Sequence, residues 1–134
     1  MPTVLLTHGP SALANYSGER ALTGLRAVAT VRLNPSDEGW TTATLAQAAQ
    51  GCDIVVSYRL AGADAALFER LPELVAWCRC AVDIRNIDVD AASARGILVT
   101  RASPGFVASV AEWVLGALVD LSRVISDAGT RPLR

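Results

Sequence analysis

Asp53-Ile54-Val55-Val56-Ser57, preceded by Gly51-Cys52 and followed by Tyr58-Arg59-Leu60, is the stretch whose reading decides the fold. A short β-branched run without polar alternation reads as a strand buried on both faces, the kind that parallel sheets contain. On its amino side, Thr41 or Thr42 can cap a helix through Gln50, and Gly51 ends it. On its carboxyl side a helix is expected near Asp64 to Arg70, with Pro72 as its stop.

The same rhythm extends in both directions. Val4 to Thr7 is a first strand, broken by Gly9-Pro10; a helix covers part of Ser17 to Leu25, a second strand runs from Ala27 to Leu33, and Asn34 to Asp37 is loop. Leu74 to Cys78 is a fourth strand, Val89 to Arg95 a short helix closed by Gly96, and Ile97 to Thr100 a fifth strand. Strands alternating with helices of this length predict an α/β, flavodoxin-like doubly wound parallel sheet of about five strands over residues 1–105. Open sheets of this kind bind ligands beyond the carboxyl ends of their strands. The candidate loops are therefore His8 to Ser11, Ser57 to Arg59, Cys80 to Asp83 and Thr100 to Ser103.

Composition narrows the function. A chain of 134 residues is one domain's worth, able to bury ~70% of its unfolded surface. Its formal charge is -1 and its pI about 5.7, so there is no basic footprint for nucleic acid. All 12 basic residues are arginine, which removes Schiff-base and P-loop lysine chemistry. Cys52, Cys78 and Cys80 have neither disulfide-framework nor metal-ligand spacing. No signal peptide is expected, because Met1 to Leu6 lacks a positive n-region and runs only a few apolar residues before His8-Gly9-Pro10, and no membrane span, because Glu112, Asp120 and Arg123 interrupt the longest apolar stretch. A reducing cytoplasm is the expected setting.

From Phe106 to about Asp127 the chain has no proline and one glycine, which predicts a single helix of about 22 residues and ~33 Å. Val107, Val110, Val114, Leu118, Leu121 and Ile125 fall on one face, widened by Trp113, Leu115, Val119 and Val124. The apolar arc spans roughly 240°, against the ~100° that packing on one core requires. Such a helix calls for two partners or for a groove in its own domain. Residues 129–134 read as a tail.

Read together, Leu71-Pro72-Glu73-Leu74, Asn86-Ile87-Asp88-Val89-Asp90-Ala91-Ala92, Arg95-Gly96-Ile97-Leu98-Val99-Thr100 and Val110-Ala111-Glu112, ending in Arg123, resemble the D-isomer-specific 2-hydroxy-acid dehydrogenase family. In that family the pattern belongs to the N-terminal substrate-binding domain, and the long helix crosses over into a Rossmann domain. The resemblance implies a small 2-hydroxy or 2-oxo acid as ligand and NAD or NADP as cofactor. It also gives the helix at 106–128 a second partner, either that Rossmann domain or a second copy of the chain. No GxG occurs in the sequence, so the dinucleotide fingerprint is absent. The family's catalytic Arg, Glu and His belong to the half not represented here, so no residue is assigned a catalytic or cofactor-binding role.

What the resemblance carries over is substrate handling. The family's glycine-rich carboxylate loop falls on Cys80 to Arg85, with Ala81 and Asp83 at glycine positions and Arg85 at an aspartate position. Backbone donors survive a Gly-to-Ala change if φ stays negative, whereas Asp83 adds a negative charge where an anion should sit. After the third strand the family often has Arg-Ser; here Tyr58-Arg59 stands nearby, and Arg59 is the nearest cation. The expected substrate-binding residues are thus Tyr58, Arg59, Ala81, Val82 and Asp83. Phe106 and Val107 replace residues that are often polar.

Each remaining candidate has a plainer reading. His8 could touch ligand, but a loop or capping role is preferred. Arg59 could fork a carboxylate or lie solvated. Cys78 and Cys80 are expected to be small core residues, Glu112 structural, Trp113 an apolar anchor, and Asp88 a helix cap rather than half of an acid/base pair with Asp90. The sequence therefore predicts the substrate-binding half of an NAD-dependent oxidoreductase acting on the CH–OH group of D-2-hydroxy acids, not competent alone. A stand-alone dimeric binding or regulatory module with the same fold is the alternative. An FMN carrier is disfavoured because Thr7 to Ser11 is short of hydroxyls, and a phosphorylation receiver because Asp53 opens its strand.

Overall fold

The computed structural model describes residues 1–130, including side chains through residue 127. The described residues divide into two compact units, 1–102 and one that begins at residue 103. In the first, β1 (Thr3–Leu6), β2 (Thr30–Leu33), β3 (Ile54–Ser57), β4 (Ala76–Arg79) and β5 (Leu98–Thr100) form one sheet in the order β2-β1-β3-β4-β5, all pairs parallel. This is the expected doubly wound α/β fold.

The order fixes the helix layers. From β1 the chain passes outward to β2 through α1 (Pro10–Tyr16) and α2 (Gly18–Val28). It returns through α3 (Thr42–Ala49) and proceeds through α4 (Ala65–Glu69) and α5 (Val89–Ala94). Right-handed crossovers running in opposite directions place α1 and α2 on one face and α3, α4 and α5 on the other. The continuous core lies under the second group: Leu5, Val55 and Trp77 of one sheet row meet Leu45, Ala46, Leu67, Phe68 and Ala92. Phe68 meets Trp77 edge-on, with ring centroids 5.9 Å apart. Three helices begin on side-chain caps: Thr41 Oγ1 accepts from Thr44 N, Asp64 Oδ1 from Leu67 N and Asp88 Oδ1 from Ala91 N. Asp88 is a cap, as its position before a helix implied.

Several expectations need correction. Residues 27–28 finish α2 rather than open β2, and Pro10, expected only to break the first strand, opens the additional helix α1. Pro10 occupies the first helical turn, where its missing N–H has no intrahelical partner to lose. Cys78 is half-buried and Cys80 exposed, so neither is a core residue; the core side of β4 belongs to Trp77 and Arg79.

In the second unit, the predicted single helix is two. α6 (Val107–Arg123) ends at Val124, which takes the left-handed conformation at φ 55°, and α7 (Ile125–Thr130) follows. A β-branched residue is unfavourable there. Ser126 N and Oγ donate to the Asp120 carboxylate across the break. Residues 129–130 of the expected tail close α7, and residues 131–134 lie outside the described residues. The apolar side chains of α6, from Val107 and Val110 to Leu121, are exposed, as is Glu112.

Candidate functional site

β3 and β4 lie side by side in parallel register, Ser57 against Arg79. The loops that leave their carboxyl ends therefore start as neighbours, and Cys80 N donates to Ser57 O at 3.0 Å. The first loop carries Tyr58 and Arg59, the second Ala81, Val82 and Asp83. The fold thus brings the five sequence-predicted residues to one edge of the sheet.

Among the described residues, the backbone amides of Ala81, Val82 and Asp83 donate to no protein acceptor. Ala81 and Asp83, at positions where the family resemblance puts glycines, adopt no positive φ; among the described residues Val124 is the one non-glycine that does. The loop therefore keeps three consecutive unpaired N–H donors without glycine, and consecutive donors of this kind are what an oxyanion recruits. Ala81 and Val82 are half-buried. Ala81 O accepts from Ala102 N at 3.1 Å, tying the loop to the segment after β5.

Asp83 does not stand as an isolated negative charge. Its carboxylate accepts from Arg85 Nε and Nη2 in a fork, at 2.7 Å to Nη2, and from Arg85 N. The side-chain and backbone hydrogen bonds from Arg85 hold the Asp83 carboxyl well below the usual carboxylate range, and the same contact raises the Arg85 guanidinium. Both side chains are exposed, so the pair adds little stability. Its effect is local: the acidic replacement of a glycine is neutralised two residues on, by the arginine that replaces an aspartate.

Tyr58 is half-buried, and its ring lies 5.3 Å from His8 and 6.0 Å from Tyr16 of α1. Arg59 is exposed, its guanidinium 5.9 Å from the Tyr58 ring centroid. His8 is 2% exposed and its Nδ1 has no partner. Burial lowers its pKa, so the imidazole is neutral at neutral pH. His8 is a packed side chain against Tyr58 and caps nothing: α1 has no side-chain cap.

A cavity of about 140 Å³ lies beside Tyr58, lined by Thr7, Gly9, Asn34, Trp40 and Leu60 among others. A larger one of about 480 Å³, lined by Gly51, Cys52 and Arg70 to Leu74, sits before the starts of β3 and β4. Volume favours the second, but open parallel sheets bind at carboxyl ends, where the first lies; Tyr58 lines it, whereas Ala81, Val82 and Asp83 do not. Among the described residues no group of His, Cys, Asp or Glu could hold a metal ion. No helix among the described residues is long and apolar enough to cross a membrane.

Sequence reasoning overlooked Arg79. It is 3% exposed at the end of β4 and donates to Tyr58 O, to Ala61 O at 3.0 Å and to Asn86 Oδ1. A signal was present: an arginine two residues after Trp77 shares its strand face, so the period that buries one buries both.

The architecture is an α/β domain on a doubly wound, all-parallel five-stranded sheet. Comparison with known proteins gives the family. The D-isomer specific 2-hydroxyacid dehydrogenase catalytic domain matches residues 10–128, and the chain belongs to that family. It is 42% identical over 65 residues to the D-3-phosphoglycerate dehydrogenase of Mycobacterium leprae, covering 48% of this chain and 12% of that protein. It is 41% identical over 70 residues to the Mycobacterium tuberculosis enzyme of the same name, covering 51% and 13%. The fold is shared with an acyclic imino acid reductase in complex with NADPH and D-Arg, at a TM-score of 0.76 and 15% identity, over 95% of this chain and 39% of that one. It is shared too with the D-lactate dehydrogenase of Escherichia coli, at 0.65 and 22%, over 98% and 40%. The matched stretches thus cover about an eighth of the curated relatives' length and about two fifths of these structures.

Proposed function

We propose that this chain is the substrate-binding part of an NAD- or NADP-dependent oxidoreductase acting on the CH–OH group of D-2-hydroxy acids, and that it does not transfer hydride by itself. The observation that carries this is the run of three unpaired amides, Ala81 to Asp83, beside the loop of Tyr58 and Arg59. In this reading the substrate carboxylate accepts from the amides of Ala81 and Val82, Arg59 supplies a positive charge at the rim, and Tyr58 walls the site. Asp83 tolerates the anion because Arg85 neutralises it. Residues 1–105 form the substrate domain, and α6 offers its apolar stripe to a Rossmann domain. This chain has no dinucleotide fingerprint, so the nicotinamide, which would take or give the hydride, is held elsewhere, as are the catalytic Arg, Glu and His. The setting is the cytoplasm.

The alternative of a stand-alone dimeric module draws on one fact: Trp113, Leu115, Leu118 and Leu121 of α6 are all more than half exposed. Apolar surface of that extent marks an interface.

Light scattering on the purified chain, with and without NADH and with a separately supplied Rossmann domain of the family, tests both readings. The expected result is a chain that ignores NADH alone and forms a 1:1 complex with the added domain. Val114→Asp with Leu118→Asp should abolish that complex. A stable homodimer that neither binds the added domain nor changes with NADH would instead favour the module.

A further inference from the structure

Arg79 is a buried cation in no salt bridge; the Asp83 carboxylate acts on it from a distance and is itself forked by Arg85. Two salt bridges occur among the described residues, and neither includes it. Burying an unpaired charge is expensive, and desolvation indeed lowers its pKa. What holds the guanidinium is three neutral oxygens: Tyr58 O, Ala61 O and Asn86 Oδ1. The first two belong to the loop after β3 and the third to the loop after β4.

The remaining contacts follow the same seam. Ala63 N donates to Asn86 O at 2.9 Å, Asp88 N donates to Ala63 O at 2.7 Å, and Ala63 pairs with Ile87 as an isolated bridge. A Cβ on Gly62 would lie 2.9 Å from Asn86 O, so the two loops approach too closely for any larger residue. The guanidinium also forgoes its sheet neighbour: Arg79 Nε and the Oγ of its register partner Ser57 are both buried without partners. Its orientation is set by the loops above, not by the strand beside it. A planar fork can span three such acceptors at fixed angles, and an ammonium cannot.

We propose that Arg79 is a positioning residue: it clamps the Tyr58–Ala61 loop to the Ala81–Asn86 loop and so sets the spacing between the two halves of the substrate site. This rests on the substrate-binding reading above, and it names the side chain on which that site's geometry depends.

The test uses the 134-residue chain with Arg79→Lys, which keeps charge and loses the fork, and Asn86→Ala, which removes one acceptor from one loop. Amide exchange is followed in both loops and in α3. Glyoxylate, the smallest 2-oxo acid, is titrated against the amide resonances of Ala81 to Asp83. Each variant should exchange roughly tenfold to a hundredfold faster in both loops, with α3 unchanged. Each should also need roughly tenfold more glyoxylate for the same shift. Faster exchange confined to the loop that carries Asn86, or looser loops with unchanged glyoxylate response, would overturn the clamp. If Arg79→Lys fails to fold, Asn86→Ala decides alone by the same two criteria. A wild-type chain that shows no glyoxylate response even with the Rossmann domain added overturns the substrate reading, while the exchange pattern still decides whether Arg79 couples the loops.

Discussion

The two faces of the sheet are built from alternate residues of the same strands, yet one is sealed and the other half open. On the sealed face Leu5, Val55 and Trp77 are at most 1% exposed beneath α3, α4 and α5. On the other, Val4 and Leu6 of β1 are buried, but Ile54, Val56, Ala76 and Cys78 are half-buried and Leu98 is 61% exposed. The reason lies in the helices: α1 and α2 contribute no buried residue. α6 has the same excess, with Trp113 at 73% and Leu121 at 77% exposure. The apolar content is therefore greater than these elements bury, and a continuous β-branched run such as Ile54-Val55-Val56 marks surface fit for burial rather than surface already covered.

The largest effect should come from the sealed face. Phe68 is fully buried against Trp77, and Phe68→Ala should cost roughly 3–5 kcal/mol. Urea unfolding followed by tryptophan fluorescence, with Trp40 and Trp113 replaced by Phe in both chains so that Trp77 alone reports, would measure it. A loss below about 1 kcal/mol would mean that α4 is not seated on β4 in solution.

Val55 and Val56 make a sharper contrast, since they are adjacent and face opposite ways. Val55→Ala should cost roughly 2–3 kcal/mol and Val56→Ala about 1 kcal/mol. Equal costs would show that something covers the second face in solution. If that cover is a second copy of the chain, the Val56→Ala effect should grow with protein concentration.

These contrasts also explain what could be read in advance. β3 and β5 were legible because their apolar runs are short and bounded by glycine or polar residues. Parallel pairing followed from the helix-length spacers between strands. α1 was hidden because proline punctuates chains in two ways, ending a strand or opening a helix, and only the burial of Thr7 to Gly9 beside it decides which. The break at Val124 was hidden because no glycine or proline announces it, and its hydrogen bonds from Ser126 to Asp120 are longer-range than a periodicity count examines. The site was legible as two loops, because strand ends can be placed from strand order alone. The Asp83–Arg85 fork is not legible from either position alone, because it depends on both side chains folding back across one loop. Arg79 was not seen because a charged residue in a strand is ordinarily assigned to solvent.

The smallest effect concerns the closed part of the second face, where His8 packs on Tyr58. It is the one histidine in the chain, so it dominates side-chain titration between pH 5 and 7. Burial lowers its folded-state pKa, while the unfolded chain titrates near ~6.5. The unfolded state therefore binds more protons in the window just below that value. Stability from neutral His8 is fully present above it and declines as pH falls toward the lowered folded pKa, by at most about 1.4 kcal/mol per pH unit. Wild type should lose urea midpoint between pH 7 and 5, and His8→Phe, which has no imidazole to protonate and no Nδ1 to leave unpaired, should lose less. A flat wild-type profile would mean that water reaches the imidazole, so α1 would not close over β1 and the second face would be open along its whole width.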